Sequence, residues 1–348
     1  MKRNITANMK IKIVIIWIGI LRKSVYYIDM TSAKGVCPLA ANAVRKRAFI
    51  QRTRLNRNWD LYLLLLLPIA YFAVFKYQPM YGLIIAFKNF SARKGILGSA
   101  WVGLYHFENF FASYYFPLFL KNTLLISLYS IFLGFPMPIL LALSINEIAA
   151  PRMKKCVQTT VYMPHFLSVI VTCSLVIQFL SPTTGIINKL IVALGGTPQY
   201  FMAMESAFKS IYVLSDVWSG MGWNAIIYLA ALSGIDPSLY ESAEIDGANR
   251  WQRILYINLP GILPTVVITL ILRSGSVMNV GYEKILLLQN ELNYNSSEVI
   301  STYVYNKGVL QAQYSFSTAV GLFNNAINFV VLTLVNRMAK AAQQDTLW

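Results

Sequence analysis

The chain has 348 residues, 56% of them hydrophobic and 13% charged, whereas soluble domains run about 45–50% apolar and about 25% charged. That composition argues against an ordinary soluble enzyme and for one bundle of spanning helices, each needing about 20 apolar residues to cross about 30 Å of hydrocarbon. Lys and Arg number 30 against 14 Asp and Glu, a formal charge of +16; with no nucleic-acid module among them, they fit cytoplasmic loops that meet anionic membrane lipid, and no nucleic-acid partner is expected.

Residues 1–57 read as an N-terminal cytoplasmic extension and 58–348 as the transmembrane domain. Within the extension, Ile13–Leu21 is an apolar run flanked by Lys10, Lys12, Arg22 and Lys23. As a helix it reaches only about 14 Å, too short to span, and no clear small-x-small cleavage site accompanies it. Organised sequence starts near Asn58-Trp59-Asp60, so translation is expected to begin later than Met1, with Met30 the candidate.

Six spans are expected, at Leu61–Leu83, Leu118–Ile145, Val157–Leu180, Phe208–Leu232, Ile262–Val280 and Thr318–Met338. Basic residues orient them. Arg45, Lys46, Arg47, Arg52, Arg54 and Arg57 precede the first, and Arg152, Lys154 and Lys155 follow the second. Arg250 and Arg253 lie between the fourth and fifth, and Arg337 and Lys340 follow the sixth, while the opposite loops carry fewer. The positive-inside rule puts both termini of this multi-pass cell-membrane protein in the cytoplasm. The outer loop from Lys88 to Pro117 is aromatic, as at a membrane interface, and that from Tyr282 to Phe316 is long and polar.

Cys37, Cys156 and Cys173 lack C-x-x-C spacing, and His106 and His165 stand alone, so neither a disulfide framework nor a metal centre is expected. The sequence has no G-x-x-x-x-G-K-[ST] loop. ATP is not bound by that route, and no cofactor is expected.

The loop between the fourth and fifth spans is legible residue by residue. Asp236 caps a helix that starts at Pro237 and runs to about Asp246, where Gly247 takes the left-handed position that ends it. A second, amphipathic helix is expected over Asn249–Asn258, stopped by Leu259-Pro260. Leu239, Ala243 and Gly247 share a face at spacing four, and two of them are small, so another backbone can approach. Glu241, Glu244 and Asp246 add negative charge beside that face. An interfacial hairpin resting on anionic headgroups would want basic residues there; the acidic helix fits a protein groove instead. A membrane chain without its own ATP site, but with a shaped plug for another protein, suggests a transporter that borrows its energy.

The pattern Glu241-x-Ala243, Gly247 and Ile257-x-Leu259-Pro260 resembles the cytoplasmic EAA loop of ATP-binding cassette (ABC) importer permeases, with Ser242 in place of the middle alanine. The likeness extends over Ala86-Phe87-Lys88-Asn89-Phe90, Asn122-Thr123-Leu124, Ser297-Glu298-Val299-Ile300-Ser301-Thr302-Tyr303 and Gln313–Asn324. These stretches are similar to maltose-type sugar permeases, most of all to the oligosaccharide and polysaccharide subgroup of Gram-positive bacteria. The resemblance covers roughly Asn58 to the end. It implies an all-α membrane fold with six transmembrane helices and a coupling helix-turn-helix between spans four and five. It also implies a second, homologous permease, two copies of a cytoplasmic ATPase, and an extracellular sugar-binding lipoprotein. Leu239, Glu241, Ala243, Gly247, Leu259 and Pro260 would then form the ATPase-coupling loop.

For the substrate pathway, sugar sites combine aromatic faces with amide and hydroxyl groups. Span four offers Tyr212, Trp218, Trp223, Asn224 and Tyr228, and span six offers Asn324, Asn325 and Asn328. Polar groups at membrane depth face the bundle interior or a water path; the competing reading is helix packing, with asparagines as interhelical glue. Arg273 reads as lying mid-span, and a buried Arg needs a partner or an aqueous cavity. It either pairs structurally or meets an acidic sugar. A polytopic enzyme would want paired carboxylates or an activated nucleophile, yet Glu108, Glu147 and Glu205 look isolated. A secondary transporter would show an internal repeat, and none is evident.

Overall fold

The computed structural model describes residues 59–348, and the chain divides into two units, one ending at Tyr77 and the other running Gln78–Trp348. The N-terminal extension, with Ile13–Leu21, Met30, Cys37 and the basic residues before the first span, lies outside the described residues. In the first unit, α1 (Trp59–Phe72) continues into a π-helical turn at Ala73–Tyr77. The described side chains of α1 are all exposed, as suits a helix apolar on every side.

The second unit is almost wholly helical. A 3₁₀ segment, Tyr81–Phe87, leads into a small antiparallel ribbon of β1 (Lys88–Asn89) and β2 (Ala100–Trp101), with Lys88 opposite Trp101. Then come α2 (Phe116–Asn146), α3 (Pro151–Tyr162), α4 (Val169–Phe179) and α5 (Glu205–Ser233). They are followed by α6 (Pro237–Ile245), α7 (Arg250–Ser274), α8 (Tyr282–Leu288), α9 (Ile300–Tyr305) and α10 (Tyr314–Ala341).

Among the described residues, four stretches are long and apolar enough to cross a membrane: Leu61–Phe87, α2, α7 and α10. A fifth counts if α3 and α4 form one broken span. The 29 residues of α5 reach about 44 Å, but Asp216, Ser219 and Asn224 dilute its hydropathy.

Two expected spans are corrected. Val157–Leu180 is not one helix: α3 and α4 meet at a bend of 103°. Pro164 sits in a 3₁₀ turn between them, and Ser168 is extended and accepts the Val171 amide at 3.3 Å, capping a new helix. The fifth span is displaced. Its helix starts at Arg250 and ends at Ser274, so Leu259-Pro260 does not stop the second hairpin helix, and Arg273 sits at a helix end rather than mid-span.

The reason for that continuity recurs. Three π-helical turns, Ala73–Tyr77, Ser130–Gly134 and Ile254–Asn258, each end two residues before a proline: Pro79, Pro136 and Pro260. Proline lacks the amide proton and its ring strikes the carbonyl four residues back. Those carbonyls belong to Phe75, Phe132 and Tyr256, inside the widened turns, where the looser pitch relieves the clash.

The core is built along α5. Its N-terminal half contributes Phe208, Tyr212 and Val213 to a cluster with Ile126, Ile285, Leu288 and Val299. Its C-terminal half contributes Ala225, Tyr228 and Leu232 to another, with Ile139, Ala142 and Leu143 of α2 and Ile262 of α7. Between them α3 comes so close that a Cβ on Gly222 would lie 2.0 Å from the Val161 carbonyl oxygen.

The loop after α7 is pinned to α2. Asn122 donates to the carbonyls of Asn295 and Glu298 at 2.8 and 3.0 Å, and Thr123 accepts the Ile300 amide at 3.1 Å. The Glu298 side chain is fully buried; Gln289 donates to its Oε2 at 2.8 Å, and Oε1 has no partner among the described residues. Burial pushes this carboxyl above its ordinary range, against the opposing pull of the Gln289 bond.

Two outcomes follow from this packing. Gly222→Val should cut the amount of folded protein in the membrane several-fold, while Gly220→Ala, whose Cβ meets only Asn224 Nδ2 at 3.5 Å, accumulates normally; quantitative blotting of membrane fractions distinguishes them. Glu298→Gln should raise the melting temperature of detergent-solubilised protein at neutral pH. Because the folded-state pKa is raised, ionisation penalises the native wild type increasingly from the ordinary carboxyl value up to the raised one and fully above it. The gain should therefore vanish as pH falls below the ordinary value, which thermal melts across a pH series will show.

Candidate functional site

Two groups of residues stand out. The first is the hairpin formed by α6 and the start of α7. Asp236 caps α6 by accepting the Ser238 amide at 3.0 Å, with Pro237 as the first helical residue. That bond lowers the Asp236 carboxyl pKa. At the other end the Ala248 amide bonds the Ala243 carbonyl at 2.8 Å and the Gly247 amide bonds that of Glu244 at 3.1 Å, a Schellman closure. Gly247 has φ +73°, and a Cβ there would meet nothing within 4 Å among the described residues, so the turn requires glycine for conformation rather than for space. Asn249 and Gln252 then form a reciprocal capping box at 2.9 and 2.7 Å that starts α7.

Leu239, Glu241 and Gly247 are exposed, Ala243 is half-buried, and Leu259 and Pro260 lie within α7. Behind the hairpin, Tyr240 donates its hydroxyl proton to Asn258 Oδ1, and Asn258 Nδ2 donates to Glu147 Oε1 at 3.1 Å. Glu147 Oε2 lies 3.8 Å from Arg253 Nη2. Glu147 is therefore not isolated, as its place near a span end had suggested.

The second group lies along α5 and the C-terminal end of α7. One cavity of ≈ 240 Å³ is walled by Ser127, Ser130, Tyr212, Asp216, Arg273 and Asn279. Another of ≈ 330 Å³ is walled by Trp223, Asn224, Tyr228, Thr269, Leu272 and Arg273. Arg273 is a wall of both. Its Nη2 lies 4.0 Å from Asp216 Oδ2, and Asp216 Oδ1 lies 3.5 Å from Lys284 Nζ. Lys284 is buried, donates to the Tyr212 carbonyl at 3.0 Å and sits 4.6 Å above the Tyr212 ring. Burial lowers its pKa, and Asp216 pulls the other way. One carboxylate thus faces two cations. Trp223 stacks on His165 at 4.5 Å and 8° between planes, and its surface remains 46% exposed.

The sequence-derived pathway residues divide. Trp223, Asn224 and Arg273 converge on one cavity. Trp218 lies on a different side of α5 and walls neither cavity. Asn328 spends its amide on the turn after α7, accepting the Met278 amide at 2.9 Å and donating to Asn279 at 3.1 Å. Asn324 is buried beside a separate cavity of ≈ 700 Å³ walled by Tyr282, Tyr305 and Tyr314, and Asn325 is exposed. Asp216 and Lys284 were not foreseen. The sequence signal for Asp216 is its spacing of seven and eight from Trp223 and Asn224, which puts it on their face; Lys284 lies in the polar segment Tyr282–Phe316, whose pattern carries no such signal.

Residues 134–344 match the family described as binding-protein-dependent transport system inner membrane component. The polygalacturonan/rhamnogalacturonan transport system permease protein YteP of Bacillus subtilis (strain 168) is 43% identical over 304 residues, 87% of this chain and 94% of that relative. Protein LplB of the same organism is 39% identical over 92% of this chain and 96% of its own. A crystal structure of a bacterial ABC transporter involved in importing the acidic polysaccharide alginate superposes with TM-score 0.76 at 42% identity, covering 84% of this chain and 98% of that one. A structure of a bacterial alginate ABC transporter with an alginate pentasaccharide-bound periplasmic protein gives 0.77 at 41%, covering 85% and 99%. The chain therefore belongs to the binding-protein-dependent inner membrane component family, as a permease subunit of an ABC importer whose ATP is hydrolysed on a separate subunit.

Proposed function

We propose that this permease passes acidic oligosaccharides inward through the two cavities that share Arg273, and that the hairpin of α6 and early α7 is its seat on the ATPase. The observation that carries the substrate reading is a guanidinium placed between an aromatic cavity and a polar one. Trp223 offers a ring face, Asn224, Tyr228 and Thr269 offer hydrogen bonds, and Arg273 with Lys284 leaves net positive charge after Asp216 is counted. Alginate is an acidic polysaccharide and a galacturonan is a polymer of uronic acids, so the substrates of the relatives agree with that charge.

The remaining features of the reading are six spans with both termini cytoplasmic, a second homologous permease, a cytoplasmic ATPase dimer and an extracellular sugar-binding lipoprotein. Support comes from the basic residues at alternate segment ends and, for the binding protein, from the likeness to an alginate transporter solved with a pentasaccharide-bound periplasmic protein. Leu239, Glu241, Ala243 and Gly247 present the hairpin, and Leu259 and Pro260 continue it into α7. A rigid-body shift of the ATPase is thereby delivered to a helix that walls both cavities. Within the third cavity Asn324 is kept as a secondary contact, and Trp218, Asn325 and Asn328 as packing or partner-facing groups.

Arg273→Gln should lower uptake of an oligogalacturonide at least tenfold with assembly intact, as read by radiolabelled uptake and co-purification; loss of the complex itself would make the arginine structural. Gly247→Leu should leave abundance near normal and uncouple ATP hydrolysis from uptake, because the left-handed turn is lost. Transport at the wild-type rate by that variant would sink the coupling role of the hairpin.

A further inference from the structure

We infer that Asn258 is a positioning residue that locks the coupling hairpin to the inner ends of two cavity-lining helices, α2 and α7. The inference rests on reading the hairpin as the ATPase seat. Three separate pieces of chain meet at this one amide: Tyr240 on α6, Glu147 just past α2, and Asn258 itself in the π-helical turn of α7. Asn258 is completely buried. A carboxylate can only accept, so the amide nitrogen must face Glu147, and the amide oxygen is then turned to receive the Tyr240 hydroxyl proton. The amide carries its acceptor and its donor on two separate atoms that diverge toward the two partners. Aspartate would set two carboxylates against each other, and leucine would remove both hydrogen bonds, leaving Glu147 only the Arg253 contact at 3.8 Å.

The geometry beyond the amide shows what such a lock would move. From Glu147, α2 runs back through Pro138, Phe135 and Gly134, which wall the larger of the two pathway cavities, to Ser130 and Ser127, which wall the smaller. From Asn258, α7 runs forward to Thr269, Leu272 and Arg273, on the facing wall. A displacement of α6 that reached only α7 would slide one wall past the other. Delivered through Asn258 to both helices, it moves two walls together. The lock is also incompletely closed: Arg253 Nη2 stands 3.8 Å from Glu147, and Arg253 Nε is buried with no partner among the described residues. A small advance of the hairpin can complete that pairing, giving the joint two arrangements rather than one.

The test uses the whole importer, purified with its ATPase and second permease and reconstituted in lipid vesicles with its sugar-loaded binding protein. Asn258→Leu keeps the volume and removes both hydrogen bonds. Uptake should fall at least tenfold, and the ratio of ATP hydrolysis with loaded binding protein to that without it should fall toward one. Tyr240→Phe, which deletes one hydroxyl, should lower uptake several-fold, and adding it to Asn258→Leu should cost nothing further, since both act through one amide. Uptake by Asn258→Leu within twofold of wild type, or losses that multiply in the double variant, would overturn the proposal. If Asn258→Leu does not assemble, Tyr240→Phe decides, and unchanged uptake and stimulation overturn it. Gly247→Leu run in parallel separates the two claims: uncoupling there with normal Asn258→Leu defeats the joint alone, and normal behaviour of both defeats the hairpin reading as well.

Discussion

The carboxylate of Asp216 sets the arrangement around the cavities. It meets the guanidinium at the end of α7 and the ammonium of α8, two cations from segments that otherwise share no charge partner. Lys284 is buried against Tyr212, and a charge withdrawn from water holds its place only when paired and hydrogen-bonded. The need to compensate it brings the chain after α7 back onto α5. Gly281, whose amide donates to the Tyr212 hydroxyl at 3.2 Å, enters the same corner. The side of the smaller cavity at Asp216 and Arg273 is thereby held by electrostatics, whereas the side at Ile126 and Val280 is held by apolar packing.

What could be read from residues alone was whatever local chemistry decides. Asp236-Pro237, Gly247 and Asn249 state their caps in sequence, and the hairpin ends where they say. The apolar runs of α2 and α10 declare themselves by length, and α5 does so despite its polar residues. The prolines misled, because a proline in a helical run has two outcomes. Pro164 accompanies a break, while Pro260 is absorbed by a wider turn, and the choice rests on tertiary packing. Site membership was harder still. Trp218 and Trp223 look equivalent in sequence, but they lie on different sides of α5, and only Trp223 finds His165 across the bend. Asn328 looks like a pathway residue until the turn that consumes its amide is seen. Glu147 and Arg253 are far apart in sequence, so nothing local announces their pairing.

Two of the helices that wall the cavities, α2 and α7, also meet at the hairpin, so under the proposed coupling a push on that one end reaches both walls. The permease fold, shared over nearly the full length of an alginate importer chain, supplies levers. The cavities supply the contacts that the proposed saccharide path would use. Neither requires a reactive group, in keeping with a site made of a ring face, amides, hydroxyls and compensated charges.

The widened turn in α7 has an effect on angular phase. A π-helical turn carries about one residue more than an α turn, and each residue advances an α-helix by about 100°. The helix therefore leaves Asn258 rotated relative to an uninterrupted rod, and the faces carrying Trp251 on one side of the turn and Thr269 and Arg273 on the other are offset by that amount. The turn works as a fixed gear between the hairpin arm and the cavity wall. Rewinding Ile254–Asn258 to regular pitch at the same chain length would swing Arg273 away from Asp216 by about 100°, whereas loss of one residue from the turn would leave the flanking faces as they are.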